Sequence, residues 1–204
     1  MGTARVQHVF LNCPFDDPYK GLFEAIIFAV SDCGFTPRCA LEIDDGSQIR
    51  IEKIFKIVSE CRFGIHDISR TDLDMTNNLP RFNMPLELGM FLGAKRYGSK
   101  EDAQKICLIL DREDYRYQKF ISDIAGQDIR AHRDDPRTAI TVVRNWLRSA
   151  SPKTGMLGGE AIGTRYDIFC KELPSLCQDL RLSPQELTFV DYTWLVAGWL
   201  RQNP

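Results

Sequence analysis

The chain has 204 residues, 44% of them hydrophobic, and a formal net charge of -2. That length suits one α/β domain plus an extension, and that composition suits a packed core. A near-neutral balance gives no general grip on nucleic acid or acidic membranes, and no apolar run is long enough to span a bilayer.

The N-terminal stretch 1–5 lacks an apolar signal core, and Val6 stands where myristoylation of Gly2 would want Ser or Thr. Seven cysteines occur with no C-x-x-C pair, an odd count that argues for reduced thiols in a cytoplasmic protein, most of them small core residues. The three histidines have no metal-ligand spacing with a cysteine, so no metal and no bound cofactor is expected.

In chain order, 8–12 reads as a first strand. Asp17 is placed to cap a helix over 18–33 that opens on Pro18, is largely buried and stops at Gly34. A second strand is expected over 35–41, then a polar loop over 42–47. Ile51, Ile54, Phe55 and Val58 recur at helical spacing opposite Arg50, Lys53, Lys56 and Glu60, which predicts an amphipathic helix. A third strand follows over 63–68. A long loop containing Asp72, Asp74, Asn77 and Asn78 leads to a helix opened by Pro85 and ending near Arg96. The all-apolar stretch 106–110 suits a central parallel strand, a weaker strand lies over 127–131, and a helix over 136–149 closes the unit.

Strands and helices alternate, and right-handed crossovers between parallel neighbours leave few topologies. The expectation is a three-layer, doubly wound, flavodoxin-like α/β domain over 1–150, with strand order 2-1-3-4-5. Pro152 and glycines 155, 158, 159 and 163 mark a joint to a helical extension over 151–204. Two helices are expected there, over 160–180 and 184–202, the second started by a capping box at Ser183-Pro184-Gln185-Glu186. The last helix is apolar nearly all round, so it must be covered, either by its own domain or by a second copy in a homo-oligomer.

Ligands of open α/β sheets bind beyond the carboxyl ends of the strands. The segments 12–17, 67–72 and 83–87 converge there, beside the loop 44–48. Glu87, expected in the first turn of its helix, would be kept ionised by the helix dipole and shielded by Met90 and Phe91; such a carboxylate suits attack on, or stabilisation of, a cationic sugar carbon. A plain helix-capping role is the other reading. Asp67 could bind a ribose hydroxyl and Arg70 a phosphate, or the two could simply form a turn. Asn12 and Phe15 could hold a base or sugar, with Phe15 as stacking wall, or be turn and core residues. Asp44, Asp45 and Ser47 fit a solvated loop with a helix cap.

The runs Asp67-Ile68-Ser69-Arg70 and Asn83-Met84-Pro85-Leu86-Glu87-Leu88-Gly89, after the opening Phe10-Leu11-Asn12-Cys13-Pro14-Phe15, resemble nucleoside 2-deoxyribosyltransferase-like and TIR-like nucleotide-binding proteins. The resemblance covers about 9–110. It implies glycosidic chemistry: Glu87 at the anomeric carbon, Asp67 orienting the sugar, Asn83 positioning sugar or glutamate, and Ser47 among the substrate-binding residues. The small-molecule partner would be a nucleoside or nucleotide, with NAD as a substrate rather than a cofactor. The segment 79–83 departs from the aspartate and glycine-threonine pair that the transferases carry before their glutamate. Arg70 and Arg81 would supply charge for a phosphate. Two other functions stand beside this one. A TIR-like module would sense a nucleotide or assemble without turnover. A phospho-receiver would use Asp16, Asp17 and Asp67, but lacks its lysine near 130–134.

Overall fold

The computed structural model describes residues 7–73, 78–151 and 155–204. The reading of 1–6, the loop residues Asp74 and Asn77, and the joint residue Pro152 lie outside the described residues. Among these residues, five parallel strands form one sheet in the order β2-β1-β3-β4-β5. They are β1 (His8–Asn12), β2 (Thr36–Arg38), β3 (Phe63–Asp67), β4 (Ile106–Asp111) and β5 (Ile129–Ala131). Residues Val9, Phe10, Leu11 and Asn12 of β1 lie beside Phe63, Gly64, Ile65 and His66 of β3. The switch in strand order therefore falls between β1 and β3, as the alternation predicted.

Six helices connect and cover the strands: α1 (Lys20–Asp32), α2 (Arg50–Glu60), α3 (Asn83–Tyr97), α4 (Pro136–Ala150), α5 (Gly159–Asp179) and α6 (Phe189–Gln202). Side chains alternate across a strand. Val9, Leu11, Phe63, Ile65, Leu108 and Leu110 point into the larger core, shared with α1, α4, α5 and α6. Phe10 points the other way, into a smaller core with Ile54, Ile57 and Val58 of α2 and Phe91 of α3. On that side Gly64 is required: a Cβ there would come within 2.7 Å of His66 Nε2 and 2.9 Å of the Phe91 ring.

Local details differ from the sequence reading for identifiable reasons. The first cap is Asp16, not Asp17: its carboxylate accepts from the Tyr19 amide, and a 3-10 turn with Pro18 precedes α1. Gly34, at φ 77°, does end α1. Strand β2 has only three residues and gives way to a 3-10 turn at Ala40–Glu42; as an edge strand it tolerates Pro37. Phe55 is exposed and Ile57 takes the core position on α2. The capping box of α6 sits at Thr188, whose hydroxyl accepts from the Asp191 amide while the Asp191 side chain accepts from Thr188 N, and not at Ser183.

The last helix is covered by its own chain. Phe28 of α1 meets Tyr166 and Phe169 of α5 and Trp199 of α6 at ring separations of 5.4–5.8 Å. Val190 and Trp194 remain exposed. Among the described residues no disulfide joins any of the seven cysteines, and five of them are buried. No described helix is long and apolar enough to cross a membrane.

Candidate functional site

Asn12, the last residue of β1, is buried and ties the strand to the start of α3: its Nδ2 donates to Met84 O at 2.8 Å and lies 3.0 Å from His66 Nδ1. Because an amide nitrogen only donates, His66 Nδ1 is the acceptor and the ring's proton sits on Nε2. Burial pushes the His66 pKa down to about 3, so the imidazole is neutral.

Glu87 follows on α3. The helix begins at Asn83, with Phe82 as its capping residue and Pro85 in its first turn, so Glu87 lies in the second turn. The dipole at the helix start is therefore too far to dominate, since its effect falls off within one turn. Burial dominates instead. Glu87 is 7% exposed, has no hydrogen-bond partner among the described residues, and its carboxyl is lifted to about 7 by desolvation, which the charge of Arg50 at the start of α2 opposes. The expectation of an always-ionised carboxylate is corrected: at neutral pH this group exchanges its proton.

Asp67 goes elsewhere. It shares strand parity with Phe63 and Ile65, so its side chain faces the α1 side, opposite to Asn12, His66 and Glu87. It is fully buried and engaged. Tyr19 donates its hydroxyl to Oδ2 at 2.6 Å, and the Ser69 amide donates to Oδ1 at 2.8 Å. His132 Nε2 lies 3.0 Å from Oδ2, off good hydrogen-bond alignment. The Asp134 amide donates to His132 Nδ1, which orients the ring with Nε2 toward Asp67. An aspartate so enclosed holds the strand tips together and does not present itself to a sugar or a phosphoryl donor, which removes the phospho-receiver reading.

The other expected residues scatter. Arg70 reaches Asp16 at 3.3 Å, on the first loop. Phe15 packs edge-on against Phe23 of α1, with ring centroids 5.3 Å apart. Asn83 is exposed at the start of α3. Ser47 is exposed and donates its hydroxyl and amide to Asp45, the turn structure that its loop composition suggested. Of five surface cavities among the described residues, Glu87 lines none.

Sequence reasoning missed a second buried aspartate at the strand tips. Asp111 ends β4 and accepts from Arg116 Nε at 2.7 Å, while the Arg116 guanidinium also donates to Ile68 O, Ser69 O and Thr71 Oγ1. Desolvation raises the Asp111 carboxyl and Arg116 opposes it. The available signal was an aspartate closing an apolar strand, the same feature that drew attention to Asp67.

These elements define a doubly wound α/β protein with a sheltered carboxylate, without a hydrogen-bond partner among the described residues, on the helix that follows its third strand. Compared with protein-family models, curated proteins and solved structures, the chain matches none.

Proposed function

We propose that this chain cleaves or transfers the base–sugar bond of a nucleoside, nucleotide or NAD, with Glu87 acting at the anomeric carbon. The observation that carries the reading is the buried Glu87 carboxyl, without a hydrogen-bond partner among the described residues and with its pKa lifted to about 7. A carboxylate stripped of water interacts more strongly with a developing cation than a solvated one does. As the C1′–N bond breaks, its electron pair leaves with the base and positive charge grows on the sugar. That charge favours the ionised form of Glu87, which attacks C1′ or stabilises the cation. Water or a second base then takes the vacated position, and a proton ends on the departing base. Asn12 acts as a positioning residue through Met84 O, because it fixes the start of α3 relative to β1.

The test is chromatography of nucleosides, nucleotides and NAD incubated with wild type and with Glu87→Gln. Free base is expected from wild type, with the rate reduced at least about a thousand-fold in the variant. Since the ionised carboxylate is the working form, kcat/KM rises with pH through about 7. Equal release by both proteins, or none from any substrate, ends the proposal.

A second reading is a TIR-like module that senses a nucleotide or assembles without turnover. Two observations favour it: the described cavities leave Glu87 unlined, and Val190 and Trp194 of α6 are exposed. Ligand protection against thermal unfolding with no product supports this reading over the first.

A further inference from the structure

The outer face of α3 carries an apolar stripe that stays exposed among the described residues. Met84, Leu88 and Phe91 turn toward the sheet and are buried. On the opposite side Phe82, Leu86, Gly89, Gly93 and Tyr97 recur at three- and four-residue spacing, which lines them along one helix face. The Leu86 amide donates to Phe82 O at 3.0 Å, so the stripe begins within the helical ladder. Phe82, Leu86 and Tyr97 are 64%, 56% and 86% exposed. A helix face turned to water is ordinarily polar or charged. Here the sole charged residue from Phe82 to Ala94 is Glu87, which is buried. The three large side chains present roughly 400 Å² of accessible surface, the size of the largest apolar patch on a typical monomer. That is about half of the ~800 Å² each partner buries in a standard interface. Ile49 and Phe55 of the neighbouring helix α2 are exposed as well.

The two glycines are a separate observation. They stand inside a helix, where glycine is the least favourable residue after proline. Neither has a positive φ. A Cβ on either would meet no atom within 4 Å among the described residues, in contrast to Gly64 on the buried side of the sheet. Backbone conformation does not require them, and neither does packing within the described chain. What they do provide is a shallow saddle two turns long, on which a second helix axis can come close.

We propose that α3 packs antiparallel on α3 of a second copy of this chain, with the two-fold axis beside Gly89. The order of sizes along the stripe selects this occupant. Laid antiparallel on itself, the stripe sets Phe82 against the partner subunit's Tyr97 and Leu86 over the partner subunit's Gly93. Both contacts occur twice by symmetry, so each large residue meets a small one or a ring. Laid parallel, leucine would meet leucine and hold the helices apart, while the facing glycines left a gap. The antiparallel pair is isologous and closed, and it opposes the two helix dipoles. Glu87 lies on the far face of the helix, so the dimer stands or falls apart from the glycosidic reading. It also leaves Val190 and Trp194 of α6 outside the contact.

Sedimentation velocity of the full chain, over a range of about 1–100 μM, tests this. Wild type is expected to form a reversible dimer. Leu86→Asp and Gly93→Leu, both at positions facing outward, should each raise its Kd about a hundred-fold or more. Glu87→Gln leaves the Kd unchanged, even where it stops base release. Gly89→Ala weakens the dimer about ten-fold, yet in the monomeric Leu86→Asp background it raises Tm by about 2–4 °C, because the isolated helix gains from alanine. Direction is read by oxidation in a Cys170→Ser background, which removes the exposed thiol. A mixture of Phe82→Cys and Tyr97→Cys chains gives a covalent dimer, and neither variant alone does. Circular dichroism of each variant verifies the fold. The proposal is overturned if wild type is monomeric throughout the range, or if the dimer survives both Leu86→Asp and Gly93→Leu. It is equally overturned if Trp194→Asp dissolves the dimer while those two variants do not, which assigns the contact to α6, or if Phe82→Cys chains cross-link to each other.

Discussion

On its α1 side the sheet meets α1 and α4, and α5 and α6 pack behind them and extend the core with Tyr166, Phe169, Tyr192 and Trp199 around Phe28. On its α2–α3 side it meets two helices and a much smaller apolar cluster, where a neutral buried histidine and a buried glutamate occupy positions that aliphatic side chains would fill more stably. The contrast is one of purpose. The first face buries aromatic area, the main favourable term in folding. The second keeps a carboxyl group out of water at a cost in stability, a pattern that marks functional sites more often than structural ones.

That contrast can be broken by substitution. The largest expected effect is Phe28→Ala on the first face: removing a fully buried ring costs about 3–5 kcal/mol in urea or thermal unfolding. A loss under about 1 kcal/mol would show that the aromatic cluster does not carry the stability of this face.

Glu87→Gln should act with the opposite sign. The folded protein binds this proton more tightly than the unfolded chain, whose carboxyl titrates near 4.5. Folding is then favoured at low pH, and the contribution is lost as pH rises from about 4.5 to about 7, remaining flat above. The glutamine variant lacks that loss. It should be more stable than wild type at pH 8 by up to about 3 kcal/mol, with the gap closing below pH 4. A destabilised variant at pH 8 would mean that the carboxylate holds the fold together.

The smallest effect sharpens the boundary of the first face. Thr188→Ala removes the working cap of α6 and should cost about 1 kcal/mol, whereas Ser183→Ala should change stability by less than about half of that. Denaturant midpoints of the two variants decide the matter, and equal costs would restore Ser183 as a cap.

The architecture was legible in the sequence because alternating apolar runs and helical periods fix strand order once crossovers are right-handed. Its failures were local. Ser183-Pro184-Gln185-Glu186 has the composition of a capping box, yet Thr188 and Asp191 carry the geometry, since two candidate caps five residues apart differ only in tertiary context. The candidate site was half legible. Asn12 and Glu87 lie on the α2–α3 side, but pairing Glu87 with Asp67 ignored strand parity: Asp67 is an even number of residues from Phe63 and Ile65 and shares their face. The raised carboxyl was not legible at all. Starting α3 at Asn83 rather than Pro85 moves Glu87 out of the first turn, and burial, a property of neighbours distant in sequence, then sets its charge.

The seam between α1 and α6 also sets a timetable. The Tyr192 hydroxyl reaches the Glu24 carbonyl across 168 residues of chain. At about 5–20 residues per second, a ribosome needs roughly 10–30 s to travel between these two positions. During that interval Phe23 and Phe28 have been synthesised while the helix that shields them has not. A nascent chain of this protein therefore carries an exposed apolar flank on α1 until α6 docks.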